Sequence, residues 1–503
     1  MTTVETKKID KKLTNKLPSN GKGSFVGDVS KIMGATAFGQ VLGVISLPII
    51  TRLFTPEAFG LFGVYTAMIG ILAVFVCMRY ELTIVLPKDD NDAANLFWVS
   101  IAFTFFWTAF TGLIILFFRD SIASLINAPE IAPFLWLVPI GVFLTGINTT
   151  HSHWNTRRAQ FGRLAGVSMV SSVVTTGSKL GAGFGGFVSG GALILASLTG
   201  TLTSSYILGR KIWKEDGGSI VSNISIARMM SLMKRYSNIS IFNSTSSLFN
   251  SVSQQAPLIL LAWFFNPAIV GYYLLGHKLL MIPVNLLSKS LKKVYFQRAS
   301  VELNKKGYVG NITKYVTINL SLISLLLMTI MISIVAPLTS TIFGQEWMFA
   351  GKFIQWMAPW VAIGLITNSI RGNISIFQKE HILLLFHSFG FLLRVVALLI
   401  GGMLIKDAYL TIVLYSAASI IYYIFLFNWI LSLSKLSVFF FIFHLKSFMV
   451  ISAACITLSL YFQHLNYSMM LIIGVNIIYI VLGAAITKDY WMPIIKSKNI
   501  LNL

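Results

Sequence analysis

Fourteen mostly apolar stretches follow one another along the chain, separated by short polar breaks. They lie at 32–51, 58–78, 94–118, 131–150, 164–186, 190–209, 238–262, 268–288, 315–338, 351–370, 382–405, 408–431, 447–463 and 467–486. A helix that crosses a bilayer needs roughly 20 such residues. The pattern therefore predicts an all-α, polytopic membrane protein with about 14 transmembrane helices. The fifth and seventh stretches are the most polar and fall below a strict hydropathy threshold. Two breaks are long, 210–237 and 289–314. Both are basic and partly amphipathic, which suits segments lying on a lipid surface.

The basic residues sharpen this reading. All but seven of the 39 lysines and arginines sit in the tails and in every second break. Arg52, Arg119, Lys352 and Lys406 lie in the alternate breaks, and Lys179, Lys278 and Arg394 lie inside stretches. Lys and Arg collect on the cytoplasmic side of a membrane protein. Both termini are therefore expected in the cytoplasm. The net charge of +22 follows from this topology and does not point to nucleic acid. Only 11% of residues are charged, against roughly 25% in soluble domains, and mean hydropathy is +0.77. Most of the chain is expected to have lipid as its solvent.

Residues 1–31 hold seven lysines and no long apolar core, so they read as a basic cytoplasmic tail and not a signal peptide. The expected organisation is that tail, a first lobe at 32–209, a cytoplasmic interlobe loop at 210–237, a second lobe at 238–431, and two further helices with a C-terminal tail at 432–503. Cys77 and Cys455 both fall in apolar stretches and supply neither a disulfide framework nor a metal set. No catalytic motif, metal motif or nucleotide-binding loop is present, and no cofactor is expected.

An internal repeat joins the two lobes. Phe54-Thr55-Pro56-Glu57-Ala58-Phe59-Gly60 precedes the second stretch, and Phe265-Asn266-Pro267-Ala268-Ile269-Val270-Gly271 precedes the eighth. Phe, Pro and Gly recur at the same relative places, and both copies enter from the outside face. The expected relation is a pseudo-two-fold axis along the membrane normal, as in transporters that bind substrate between halves.

A charge deep in a membrane costs at least ~2.5–3.5 kcal/mol on insertion scales, so it usually faces a polar interior. Lys278, beside His277, is the deepest candidate, with Lys179 and Arg394 next; these four form an expected cationic cavity. Ser172 and Thr175 continue a polar stripe to Lys179, while Asn243, Asn250 and Gln254 form another at helical period. Gly271, Lys278 and Asn285 share a helix face. Packing of small polar residues and snorkelling of long cations are the alternative readings. Trp98, Trp107, Trp136, Trp356 and Trp360 suit either sugar stacking or interfacial anchoring. No Asp or Glu lies near the middle of a stretch. That argues against an exporter of cationic drugs and for an anionic substrate, since Lys is a good point-charge partner for phosphate.

The stretch from Leu47 to Leu96 resembles the bacterial polysaccharide transporter family of O-antigen and exopolysaccharide flippases, in the multidrug/oligosaccharidyl-lipid/polysaccharide exporter superfamily. The pieces that carry the resemblance are Arg52-Leu53-Phe54-Thr55-Pro56-Glu57 with Phe59-Gly60, Arg79-Tyr80-Glu81, and Leu86-Pro87-Lys88. Trp154-Asn155-Thr156-Arg157 and Val270-Gly271-Tyr272-Tyr273 leading to Lys278 and Pro283 extend it. The resemblance implies a flippase that moves undecaprenyl-pyrophosphate-linked oligosaccharide to the outer leaflet of the bacterial cytoplasmic membrane by alternating access. It implies a cation at Lys278 facing the pyrophosphate, an outer-gate or interfacial role for Arg52, either an inner-gate ion pair or substrate contact for Arg79 and Glu81, and membrane lipid, a polysaccharide polymerase and chain-length proteins as partners. One chain, with two lobes, suffices as a working unit. The alternatives are a multidrug or small-ion exporter of the same fold, or a membrane enzyme of the same pathway. The latter needs a substantial external loop, and no external break here is long.

Overall fold

The computed structural model describes residues 25–465 and 469–486, and these form fourteen long helices with no strand among them. The remainder of the basic N-terminal tail and the C-terminal tail lie outside the described residues. The helices are α1 (Phe25–Leu53), α2 (Pro56–Leu72), α3 (Asp90–Leu125), α4 (Leu137–Arg157), α5 (Phe161–Phe184), α6 (Gly190–Glu215) and α7 (Ile226–Phe264). They continue with α8 (Pro267–Lys306), α9 (Gly310–Phe343), α10 (Met348–Ile370), α11 (Glu380–Ile405), α12 (Ala408–Leu433), α13 (Val438–His464) and α14 (Met469–Ile486).

One helix answers each predicted stretch. Among the described residues, nine are long and apolar enough to cross a membrane on those criteria alone, and α2 and α14 are shorter apolar helices. The most polar helices, α5 and α7, fall outside that set as expected, and α4 does too because its last turns carry Thr149, Thr150, His151, His153 and Asn155. Polar faces of this kind pay their desolvation by turning towards other helices. The chain is a multi-pass membrane protein.

The long breaks are largely helical and not loops. Residues 210–237 are the end of α6, a short helix at Gly217–Ser222 and the first turns of α7. Residues 289–306 prolong α8 without interruption. Their amphipathic pattern reflects helices that run on past the apolar zone.

Packing repeats between lobes. In the first, α1 packs on α5, α3 on α4, α4 on α6 and α5 on α6. In the second, α7 packs on α11, α9 on α10, α10 on α12 and α11 on α12. The lobes meet where α2 packs against α7 and α8. After them α13 docks on α9, and α14 on α13, tied by Ser333 Oγ to Asn476 Oδ1 (2.6 Å) and by the Ser452 and Tyr479 hydroxyls (2.8 Å).

The sequence repeat now has a physical reason. Thr55 and Asn266 cap α2 and α8 by accepting from the N–H groups of Ala58 and Ile269, and Pro56 and Pro267 take the first helical position. A Cβ on Gly60 would fall 1.7 Å from the Pro267 carbonyl oxygen, and one on Gly271 would fall 2.0 Å from that of Pro56. Each glycine seats the other repeat's proline. We call this the far face, and the opposite one, rich in Arg, the basic face.

Candidate functional site

Contacts between the lobes bridge both faces. On the far face Arg52, at the end of α1, donates to the carbonyls of Thr341 (2.8 Å) and Ile342 (3.2 Å) at the end of α9. Trp347, fully buried, donates to the Thr51 carbonyl (2.9 Å) and meets Phe59 edge-on at 5.0 Å. Asn127 donates to the Phe265 carbonyl (3.0 Å).

On the basic face the turn after α2 meets α7. Tyr80 donates to the Met233 carbonyl (3.1 Å), and Ser240 donates to the Met78 carbonyl. Arg228 holds Asp92 at 2.6 Å. Arg157 and Arg158 share Asp90 (2.8 and 3.0 Å), Arg158 also reaches Asp216 (2.7 Å), and Trp154 donates to Asp216 (2.9 Å). Arg157 donates to the Pro87 carbonyl (2.7 Å) as well. Two of the motif pieces in the sequence, around Pro87 and Trp154, are thus one cluster. Burial works against the charge of Arg158, but Asp216 and Asp90 outweigh it and raise its pKa.

Arg79 and Glu81 stand 3.6 Å apart in the turn between α2 and α3, and Glu81 is buried. Burial pushes the Glu81 carboxyl up, against the pull of Arg79. A carboxyl with a raised pKa favours this state when protonated. That contribution is fully present below the ordinary carboxylate range and is lost as pH rises through the raised value. A cysteine placed at Thr149, in the hollow beside this pair, should therefore react progressively more slowly with a maleimide, after correction for thiol ionisation, as pH falls from neutral towards the ordinary carboxylate range. Glu81→Gln should remove the difference. The opposite dependence contradicts the account.

Between these contacts lie hollows on the two sides of α8. His277 and Lys278 are neighbours in sequence but about 100° apart around the helix. His277 faces a cavity of about 440 Å³ within the second lobe, bordered from the first only by Thr66, together with Arg394, Arg371, Asn250 and Gln254. Lys278 faces the other way. It lines a hollow of about 410 Å³ with Gln40, Ser172 and Asn285, and a second of about 270 Å³ with Lys179 and Phe62. The Lys179 ammonium sits 4.6 Å from the centre of the Phe62 ring. The expected single cationic cavity is thus two: Lys179 with Lys278, and His277 with Arg394. A third hollow of about 300 Å³ links Arg79 and Glu81 to Asn250 and Gln254 along α7.

Thr175 and Asn243 sit elsewhere. A Cβ on Gly200 would fall 1.8 Å from Thr175 Oγ1, which places that hydroxyl in the seam between α5 and α6. Asn243 donates to the Ile239 carbonyl one turn back (2.8 Å) and lines none of these hollows.

Sequence reasoning missed Arg371 and the tyrosines that join Trp360 in an aromatic wall. Arg371 caps α10 and donates to His387 Nε2 (2.5 Å), whose Nδ1 lies 3.0 Å from the Tyr422 hydroxyl. Arg394 lies over the Tyr422 and Tyr423 rings (4.6 and 5.4 Å) and donates through Nε to Ser419 (2.9 Å). Trp360 stacks between Tyr423 and His277, each centroid 6.1 Å away. The seven-residue spacing of Tyr415 and Tyr422, which puts them on one helical face, was the available signal. Among the described residues, no acidic side chain lines this cavity or the hollows around Lys278. Chemically, the arrangement suits an anion held among ring faces, amides and cations.

Comparison with solved structures places the fold. The chain is similar to the lipid II flippase MurJ in an inward closed conformation, with a TM-score of 0.69 at 12% identity over 90% of this chain and 98% of that one. It is also similar to a multidrug resistance MATE family transporter of the MOP superfamily. The inward-facing form gives a TM-score of 0.53 at 13% identity over 80% of this chain and 95% of that one, and the outward-facing form 0.50 at 14% over 81% and 96%. The fold is therefore one used by flippases and transporters. No curated protein sequence matches the chain. Residues 49–350 do match the model of a polysaccharide biosynthesis protein family, and the chain belongs to that family.

Proposed function

We propose that this protein is a flippase that carries undecaprenyl-pyrophosphate-linked oligosaccharide across the bacterial cytoplasmic membrane by alternating access. The observation that carries the reading is the cationic lining of the hollows on the two sides of α8, one between the lobes and one within the second lobe, which hold no carboxylate among the described residues, in a flippase-like fold. In this reading the basic face is cytoplasmic. The pyrophosphate sits against Lys278 and Lys179, where point charges offset its negative charge inside the membrane. The polar stripe of Asn250 and Gln254 guides the glycan. Arg52 belongs to the outer gate, and Arg79 with Glu81 to the inner one. The protein makes and breaks no covalent bond, and a polymerase receives the delivered unit.

Family membership supports a role in polysaccharide formation, and the transporter fold supports movement over chemistry. A drug exporter would need to hold a cation, and the cations lining the hollows repel one. In cells lacking the protein, lipid-linked repeat units should accumulate with their glycans facing the cytoplasm while surface polysaccharide falls. Normal surface polysaccharide in such cells would refute the proposal.

A further inference from the structure

The two cationic groups separated by α8 are too much for one pyrophosphate. Lys179 and Lys278 share a hollow walled by α1, α2, α5 and α8, while Arg371 and Arg394 stand in the cavity on the other side of α8. Among the described residues, no carboxylate lies within salt-bridge distance of either arginine. A guanidinium enclosed within a membrane protein without a counter-charge is costly, and a bound anion relieves it.

The way Arg394 is held narrows the anion. Its guanidinium carbon lies over the Tyr422 ring, its Nε is pinned to Ser419, and its two terminal nitrogens have no protein partner among the described residues. That leaves a rigid two-pronged fork, the geometry that takes a planar carboxylate through two parallel hydrogen bonds. Around it stand the rings of Trp360 and Tyr423 and the amides of Asn250 and Gln254. Trp360, 6% exposed, keeps an indole N–H without a partner. Ring faces with amide donors and acceptors suit a pyranose, which a bare pyrophosphate does not need. The cavity volume of about 440 Å³ is that of a small-ligand site.

We infer that the Arg371–Arg394 cavity is a subsite for an acidic sugar, so that the glycan carried by this protein bears a carboxylate. This rests on the flippase reading and adds the class of its cargo. Lys179 and Lys278 take the pyrophosphate, and Arg394 takes the carboxylate of a uronic-acid residue, with Arg371 beside it.

The test uses the full chain in proteoliposomes with two probes. One is a polyprenyl-pyrophosphate trisaccharide that contains a uronic acid, and the other is its methyl ester, which keeps the pyrophosphate and loses the sugar charge. The acid should cross at least about tenfold faster than the ester, in keeping with a charge-assisted hydrogen-bonded pair. Arg394→Gln should bring the acid-to-ester ratio near one, and Arg394→Lys, which keeps a cation, should restore part of it. Equal rates for acid and ester in the wild type would overturn this inference and leave the flippase reading standing. So would an Arg394→Gln variant that slows both probes by the same factor, because the cavity would then hold the shared pyrophosphate. If a folded wild type moves neither probe, the flippase reading itself fails, and this inference with it.

Discussion

Gly60→Ala opens the far face, and Gly271→Ala does the same. In the closed state the added methyl would sit 1.7 Å from the Pro267 carbonyl oxygen in the first variant and 2.0 Å from that of Pro56 in the second. The obstacle is backbone at a capped helix start, so it cannot rotate away as a side chain can. Overpacking of this kind typically costs ~1–3 kcal/mol, and each 1.4 kcal/mol is tenfold in an equilibrium. Either variant should shift the population towards a far-face-open state by about tenfold or more. The reporter is a cysteine at Leu274, which lines hollows on both sides of α8, with Cys77 and Cys455 replaced by serine. A membrane-impermeant maleimide added on the far side should label it at least about tenfold faster in either variant. Gly177→Ala, whose new methyl meets nothing within 4 Å, should leave labelling unchanged. Unaltered labelling in both clasp variants contradicts the reciprocal packing as the seal.

Lys278→Gln should cost transport more than stability. Its side chain is exposed to a hollow in the middle of the bundle and accepts no packing load there. Loss of a charged hydrogen-bonding partner for an anion is worth ~1.5–3 kcal/mol, or roughly 10- to 100-fold in rate when the contact strengthens as the substrate crosses. Lys278→Arg keeps the charge and should retain most of the rate. His277→Gln probes the other wall and, if the two hollows hold separate groups, should affect the glycan more than the lipid pyrophosphate.

Much of the fold was legible because a bilayer imposes one length on every crossing helix. Each predicted stretch became a helix, including α5 and α7, whose polar faces line hollows at Ser172 and at Asn250 and Gln254. The repeat at Pro56 and Pro267 was legible as a pattern, but its reciprocity was not. That each glycine receives the other lobe's proline is a tertiary fact. The division of the cations was hidden for a similar reason. Residues adjacent in sequence point to different walls of a helix, so Lys278 and His277 could be placed in one cavity only by assumption. Arg371 sits at a helix end, where a basic residue is also expected from topology alone, and nothing local marked it as facing inwards. The long breaks carry an amphipathic period, but that period does not tell a separate segment from the continuation of a neighbouring helix, which is what 289–306 is.

The most direct test of the central claim is flipping by the purified protein. Polyprenyl-pyrophosphate-linked oligosaccharide is placed in the inner leaflet of proteoliposomes, and its appearance outside is followed with a membrane-impermeant lectin or glycosidase. The account predicts transfer by the wild type, a fall of roughly 10- to 100-fold with Lys278→Gln, and recovery with Lys278→Arg. Transfer that is absent with the folded wild type, or that proceeds undiminished in Lys278→Gln, would contradict it.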